Sequence, residues 1–253
     1  MNPDRPVLVL GPSLGTTAAA CWGPVVDLLG EEFDVVAREL PGHGADRGPV
    51  PADLTIADLA RQVVDAVAER HDGPFLYAGD SVGGQVGLQL LLDHPDRVLG
   101  AVLCCTGARI GTPESWAERT AQVRASGTAS LVGATAARWF APGFLERRPA
   151  VGAALLHALR DTGTDGYTAV CGALGAFDVR DRLGEVDRPV VAVAGAHDAV
   201  CPPDSLREIA DGVRDGRLVV LDDVAHQAPA EAPGEIARIV RDLAARVGTE
   251  VAR

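Results

Sequence analysis

The sequence contains no lysine. All 23 of its basic residues are arginine, and 35 acidic residues outweigh them, for a formal charge of −12. An acidic balance of this size argues against nucleic acid or an anionic membrane surface as partner, since both repel it. Without lysine there is also no Gly-x-x-x-x-Gly-Lys-Ser/Thr phosphate loop. No Cys-x-x-Cys pair occurs among Cys21, Cys104, Cys105, Cys171 and Cys201, and their number is odd. A reduced chain in the cytoplasm is the expectation. Long apolar runs are missing too. The first, 7–10, ends at Gly11-Pro12, too short for a signal or membrane segment. There is no internal repeat and no low-complexity tail.

What is present suffices for a core that needs no staples. A chain of 253 residues, 47 % hydrophobic, can bury roughly 70–75 % of its unfolded surface. One α/β domain with an insertion is expected.

The chain is organised around residues 75–84, which read as a buried strand, a sharp turn and the start of a helix. The turn carries Gly79-x-Ser81-x-Gly83. A serine at the tip of so tight a turn sits in strained backbone, and its neighbours two before and two after must be small. The turn also sets Ser81 at a helix N-terminus, where free N–H groups favour developing negative charge. The competing reading is a glycine-rich connection such as a phosphate loop.

Strands are expected at about 6–10, 33–38, 74–79, 98–104, 189–195 and 217–222, alternating with helices. Six such strands imply a parallel sheet with the first strand inside it and the 33–38 strand at an exposed edge. Thr55 is placed to cap a helix running to residue 70. From 107 to 177 the alternation stops. Helical stretches near 114–125, 130–140, 150–160 and 165–175 suggest an inserted helical cap over a core made of 1–106 and 178–253. The cap holds seven arginines against five acids, +2, so the remainder carries −14. An anionic substrate would meet a favourable field only there.

Ser81, Asp198 and His226 each follow a predicted strand, in the order nucleophile, acid, histidine. Ser81 would attack a carbonyl carbon. His226 would take its proton and then activate water, and Asp198 would hold the imidazole in the right tautomer. The N–H groups of Leu14 and Val82 are the candidate oxyanion donors. In the loop after the first strand, an ordinary strand-to-helix connection is the alternative for Leu14. Rivals exist: His43 reads better as a structural donor in a glycine-flanked loop. His197 precedes the acid and cannot easily face Ser81. Asp222 and Asp223 read as turn formers, and the side chain of Asp80 should point away from its neighbour Ser81.

Several motifs resemble those of the 3-oxoadipate enol-lactonases among the α/β-hydrolases. They are Ser13-Leu14-Gly15-Thr16, Gly42-His43-Gly44 and Gly79-Asp80-Ser81-Val82-Gly83-Gly84. In the cap they are Thr106-Gly107-Ala108-Arg109-Ile110-Gly111, Trp116, Arg119, Arg138-Trp139-Phe140 and Gly166-Tyr167. The resemblance spans nearly the whole chain. It implies an α/β-hydrolase fold and hydrolysis of 3-oxoadipate enol-lactone to 3-oxoadipate, with neither cofactor nor metal. Glu39 stands where the family usually has Asp, and Val82 where it usually has Met. Only six residues precede Val7, so the family's usual N-terminal antiparallel hairpin should be missing. A monomer, or a homodimer through the uncovered edge, is expected.

The substrate's remaining carboxylate calls for an arginine. Arg138 is the candidate, with Trp139 as an apolar wall and Arg119 in reserve. A surface arginine beside a core tryptophan is the other reading. An esterase or lactonase of another pathway, biosynthetic ones included, would share the triad. A non-catalytic ligand receptor is disfavoured by the intact Ser81, Asp198 and His226.

Overall fold

The computed structural model describes residues 5–46 and 48–251. Six strands, β1 (Val7–Gly11), β2 (Asp34–Ala37), β3 (Phe75–Asp80), β4 (Val98–Cys104), β5 (Val190–Gly195) and β6 (Gly216–Leu221), form one sheet in the order β2-β1-β3-β4-β5-β6. Every neighbouring pair is parallel. As expected, β1 lies inside the sheet and β2 at its edge. Several boundaries move by a residue because register decides them. β6, for instance, starts at Gly216 opposite Val190 and stops at Leu221, before the exposed Asp222-Asp223 turn.

Burial follows the apolar runs. All residues of β1, β3 and β5 are buried, as strands covered by helices on both faces must be. Each fully buried Leu, Val or Phe contributes about 1.5–3 kcal/mol. Helices α1 (Ala18–Leu29) and α2 (Ile56–Ala68) follow β1 and β2. Thr55 opens α2 with a capping box: its hydroxyl accepts from the Asp58 N–H, and the Asp58 carboxylate accepts from the Thr55 N–H. Helix α3 (Val82–Asp93) is buried continuously from Val82 to Leu91, which fits its place under the centre of the sheet.

Between β4 and β5 the regular elements are all helical, among them α4 (Pro113–Ser126), α5 (Val132–Trp139), α6 (Phe144–Arg147), α7 (Pro149–Asp161) and α8 (Thr164–Ala176). The helix expected at 130–140 is split. A 3₁₀ turn, Thr128–Leu131, precedes α5, and the Thr128 hydroxyl is held by the carbonyls of Arg160 and Thr162 at the end of α7. The short α6 fits between Gly143, at φ +75°, and Pro149, and the sequence reading passed over it. Helices α9 (Pro203–Gly212), α10 (Ala228–Glu231) and α11 (Pro233–Val251) complete the fold. All five cysteines are unpaired and buried, and burial raises every thiol pKa. No helix among the described residues is long and apolar enough to cross a membrane.

Candidate active site

Parallel strands bring their C-terminal ends to one edge of the sheet, and the turns that follow β3, β5 and β6 meet there. The turn after β3 is the sharpest. Ser81 has φ +55°, one of two non-glycine residues in the left-handed region among those described, a conformation that costs about 1–3 kcal/mol. The surroundings enforce it. The Ser81 N–H donates to the Cys104 carbonyl at 2.9 Å, and its own carbonyl accepts the Thr106 hydroxyl at 2.6 Å. A Cβ on Gly79 would lie 2.2 Å from the Gly83 carbonyl oxygen, and one on Gly83 would lie 2.3 Å from that of Gly11. Only glycine fits at either place.

The catalytic candidates converge. His226 Nδ1–H donates to Asp198 Oδ2 at 2.8 Å, which leaves Nε2 to accept from Ser81 Oγ at 3.1 Å. The second carboxylate oxygen of Asp198 accepts the N–H groups of Val200 and Cys201, at 2.7 and 2.9 Å. Acid and base are therefore fixed from both sides, and all three side chains are buried. Such an arrangement can act as a proton relay aimed at a nucleophile. Asp198, Cys201 and His226 bring their donor atoms within 4.8 Å of one another. Asp198 and His226 already spend those atoms on each other and on Ser81.

Above Ser81 opens a cavity of about 180 Å³, lined by Ser13, Leu14, Ser81 and His226 from the core and by Trp116, Arg119, Arg138, Trp139 and Tyr167 from the helices between β4 and β5. Of the oxyanion candidates, Leu14 lines it and Val82 follows Ser81 in the chain. Leu14 lies in the turn closed by the Thr16 N–H to the Ser13 carbonyl. Val82 opens α3, where the first N–H groups of a helix have no partner inside it. Trp139 is buried, while Arg138 is exposed at the rim. Arg119 lies deeper, half-buried beside Tyr167. Neither arginine is ion-paired among the described residues.

The rivals fall away from the cavity. His43 is wholly buried, with Nδ1–H donating to the Pro41 carbonyl at 3.0 Å. His197, Asp222 and Asp223 are exposed. Asp80 is fully buried, and neither carboxylate oxygen has a hydrogen-bond partner among the described residues. Burial, reinforced by the charges of Asp198 and Glu231, pushes its pKa well up. Glu39 accepts the Ala18 N–H at 3.0 Å and ties α1 to the loop after β2.

Glu231 is not among the residues that the sequence points to. It accepts three backbone N–H groups around His226. The only sequence signal for it is a lone carboxylate set between Pro229 and Pro233 in an otherwise apolar stretch.

Residues 6–233 match the α/β-hydrolase fold family. The chain is 32 % identical to 3-oxoadipate enol-lactonase 2 of Acinetobacter baylyi over 78 % of this chain and 73 % of that one. It is 31 % identical to a protein of Variovorax paradoxus provisionally named a carbamate hydrolase, over 96 % of this chain and 93 % of that one. Among solved structures, the enol-lactonase from Burkholderia xenovorans superposes with a TM-score of 0.90 at 32 % identity, covering 96 % of this chain and 92 % of that one.

Proposed function

The chain belongs to the α/β-hydrolase family, among the 3-oxoadipate enol-lactonases, and we propose that it is a serine hydrolase that opens a small carboxylated enol-lactone, 3-oxoadipate enol-lactone, through an acyl-enzyme. The observation that carries this reading is the pairing of a complete Ser81–His226–Asp198 relay with a cavity whose wall holds two arginines and no ion-paired acid.

The chemistry follows from the positions. Ser81 Oγ attacks the lactone carbonyl carbon while His226 Nε2 takes its proton. The N–H groups of Leu14 and Val82 receive the oxyanion. The ring C–O bond then breaks. The leaving oxygen belongs to an enol, so it departs as a stabilised enolate and becomes a ketone, still tethered to the acyl chain. The proton that His226 took from Ser81 passes to that enolate, which leaves the imidazole neutral again. Its next task is to deprotonate the water that cleaves the acyl-enzyme. Asp198 stabilises the imidazolium formed in both halves. Arg138 or Arg119 holds the substrate's free carboxylate at the far end of the cavity.

The test compares wild-type kcat/KM for 3-oxoadipate enol-lactone and for p-nitrophenyl acetate, with fluorophosphonate labelling to identify the nucleophile. The lactone should be much the better substrate, and the label should sit on Ser81 alone. A lactone rate no higher than that of the neutral ester would sink the substrate assignment. The likeness to the Variovorax protein and the exposure of Arg138 favour one second reading, an ester or carbamate hydrolase with the same relay and a neutral substrate.

A further inference from the structure

We propose that Glu231 is a positioning residue for this hydrolysis, a single carboxylate that fastens the turn carrying His226 to the cap segment carrying Arg138 and Trp139. One oxygen, Oε1, accepts the N–H groups on either side of the histidine, from Ala225 at 3.0 Å and from Gln227 at 3.2 Å. The other, Oε2, reaches across to the Ala141 N–H at 2.7 Å. A fourth link runs the same way without Glu231, from the His226 N–H to the Trp139 carbonyl at 3.0 Å.

Glu231 is itself anchored. Its N–H donates to the Gln227 carbonyl at 2.8 Å, so α10 folds the carboxylate back over the turn it grips. The side chain is half-buried. Burial raises its pKa, while the three N–H donors and the nearby His226 oppose the rise. Hydrogen bonds to an ionised acceptor are the strong kind. Nucleophile and base approach to 3.1 Å only if the turn after β6 is held at the right height over the elbow. The wall of the cavity that carries Arg138 is held by the same carboxylate. The seat of the cap and the place of the base thus share one anchor, and small misplacements of a base cost rate steeply.

The proposal rests on the serine-hydrolase reading, and the experiment separates the two. Glu231→Gln keeps one acceptor oxygen for Ala225 and Gln227, but its amide nitrogen cannot accept from Ala141. Glu231→Ala loses both ties. In the full-length protein, kcat for p-nitrophenyl acetate should stay within about threefold of wild type in Glu231→Gln and fall about 10–100-fold in Glu231→Ala. Fluorophosphonate labelling of Ser81 should slow in parallel. Hydrogen exchange at 139–141 should quicken in both variants, while exchange at 82–90 stays unchanged. If Glu231→Ala fails to fold, the Gln variant alone carries the test through that exchange pattern. Wild-type exchange at 139–141 in Glu231→Gln overturns the proposal. So does an equal loss of rate in both variants that tracks the unfolded fraction. A wild-type enzyme that takes no label at Ser81 removes the hydrolase reading instead.

Discussion

The hydroxyl of Tyr77 donates to the carbonyl oxygen of Gly83 at 2.8 Å, bridging the strand before the nucleophile and the helix after it. Tyr77 is wholly buried, which raises its phenol pKa and keeps the donor protonated. This bond braces the strained residue between its two ends. Tyr77→Phe leaves a buried carbonyl short of a partner and should cost about 0.5–1.5 kcal/mol. In a chain of this size that is a Tm lower by about 1–6 °C. Calorimetry checks it; an unchanged Tm would show that the elbow stands without the brace.

Ser81→Ala and His226→Ala should each lower kcat by about 10⁵–10⁶, and the double variant should be little worse, because the relay works as a unit. Steady-state and single-turnover rates on the lactone measure this. Multiplying losses, or near-normal turnover by Ser81→Ala, would mean a different nucleophile.

The two cavity arginines should separate by substrate. Replacing the one that holds the carboxylate with Met should raise KM for the carboxylated lactone by the equivalent of about 1.5–3 kcal/mol, the worth of a charged hydrogen bond. A neutral aryl ester should hardly notice. Arg119, half-buried beside Tyr167, and Arg138, at the rim, are to be compared side by side. Equal losses on both substrates in both variants would turn the assignment toward a neutral substrate.

His43 gives the protein an acid-side liability. Burial pulls its pKa down to about 4 from 6.5. Below the unfolded value the unfolded chain binds a proton that the folded one refuses. The stabilisation is therefore complete above about pH 6.5 and lost as pH falls toward 4, at up to about 1.4 kcal/mol per pH unit. His43→Gln should be less stable at pH 7 yet show a shallower decline between pH 6.5 and 4. Urea unfolding across that range tests it, and parallel slopes for the two proteins would refute it.

The convergence of Ser81, Asp198 and His226 was legible because each lies in a turn that follows a strand, and parallel strands gather their C-terminal turns. The elbow was legible for a steric reason: Gly79 and Gly83 stand where any Cβ would strike main chain. Glu231 was not legible. Its partners are backbone N–H groups, which every residue but proline carries, and Ala141 lies 90 positions away. Nothing in residue type marks such a contact. The break before α5 was hidden for a similar reason, since Thr128 answers to carbonyls at the end of α7 and not to its own helix. Asp80 was read as facing away from the nucleophile. That its pKa is raised depends on how completely the sheet and its helices close over it, which neighbours in sequence do not reveal.

The buried cysteines make the fold its own stopwatch. Cys171 sits in α8, Cys21 in α1, Cys104 in β4, and Cys105, whose thiol donates to the Ala225 carbonyl, lies behind the histidine turn. A thiol reagent added to the native protein has to wait for each of these regions to open. The order in which the sulfurs are alkylated would then reveal whether the helices over the cavity lift before the sheet comes apart, with no substitution introduced.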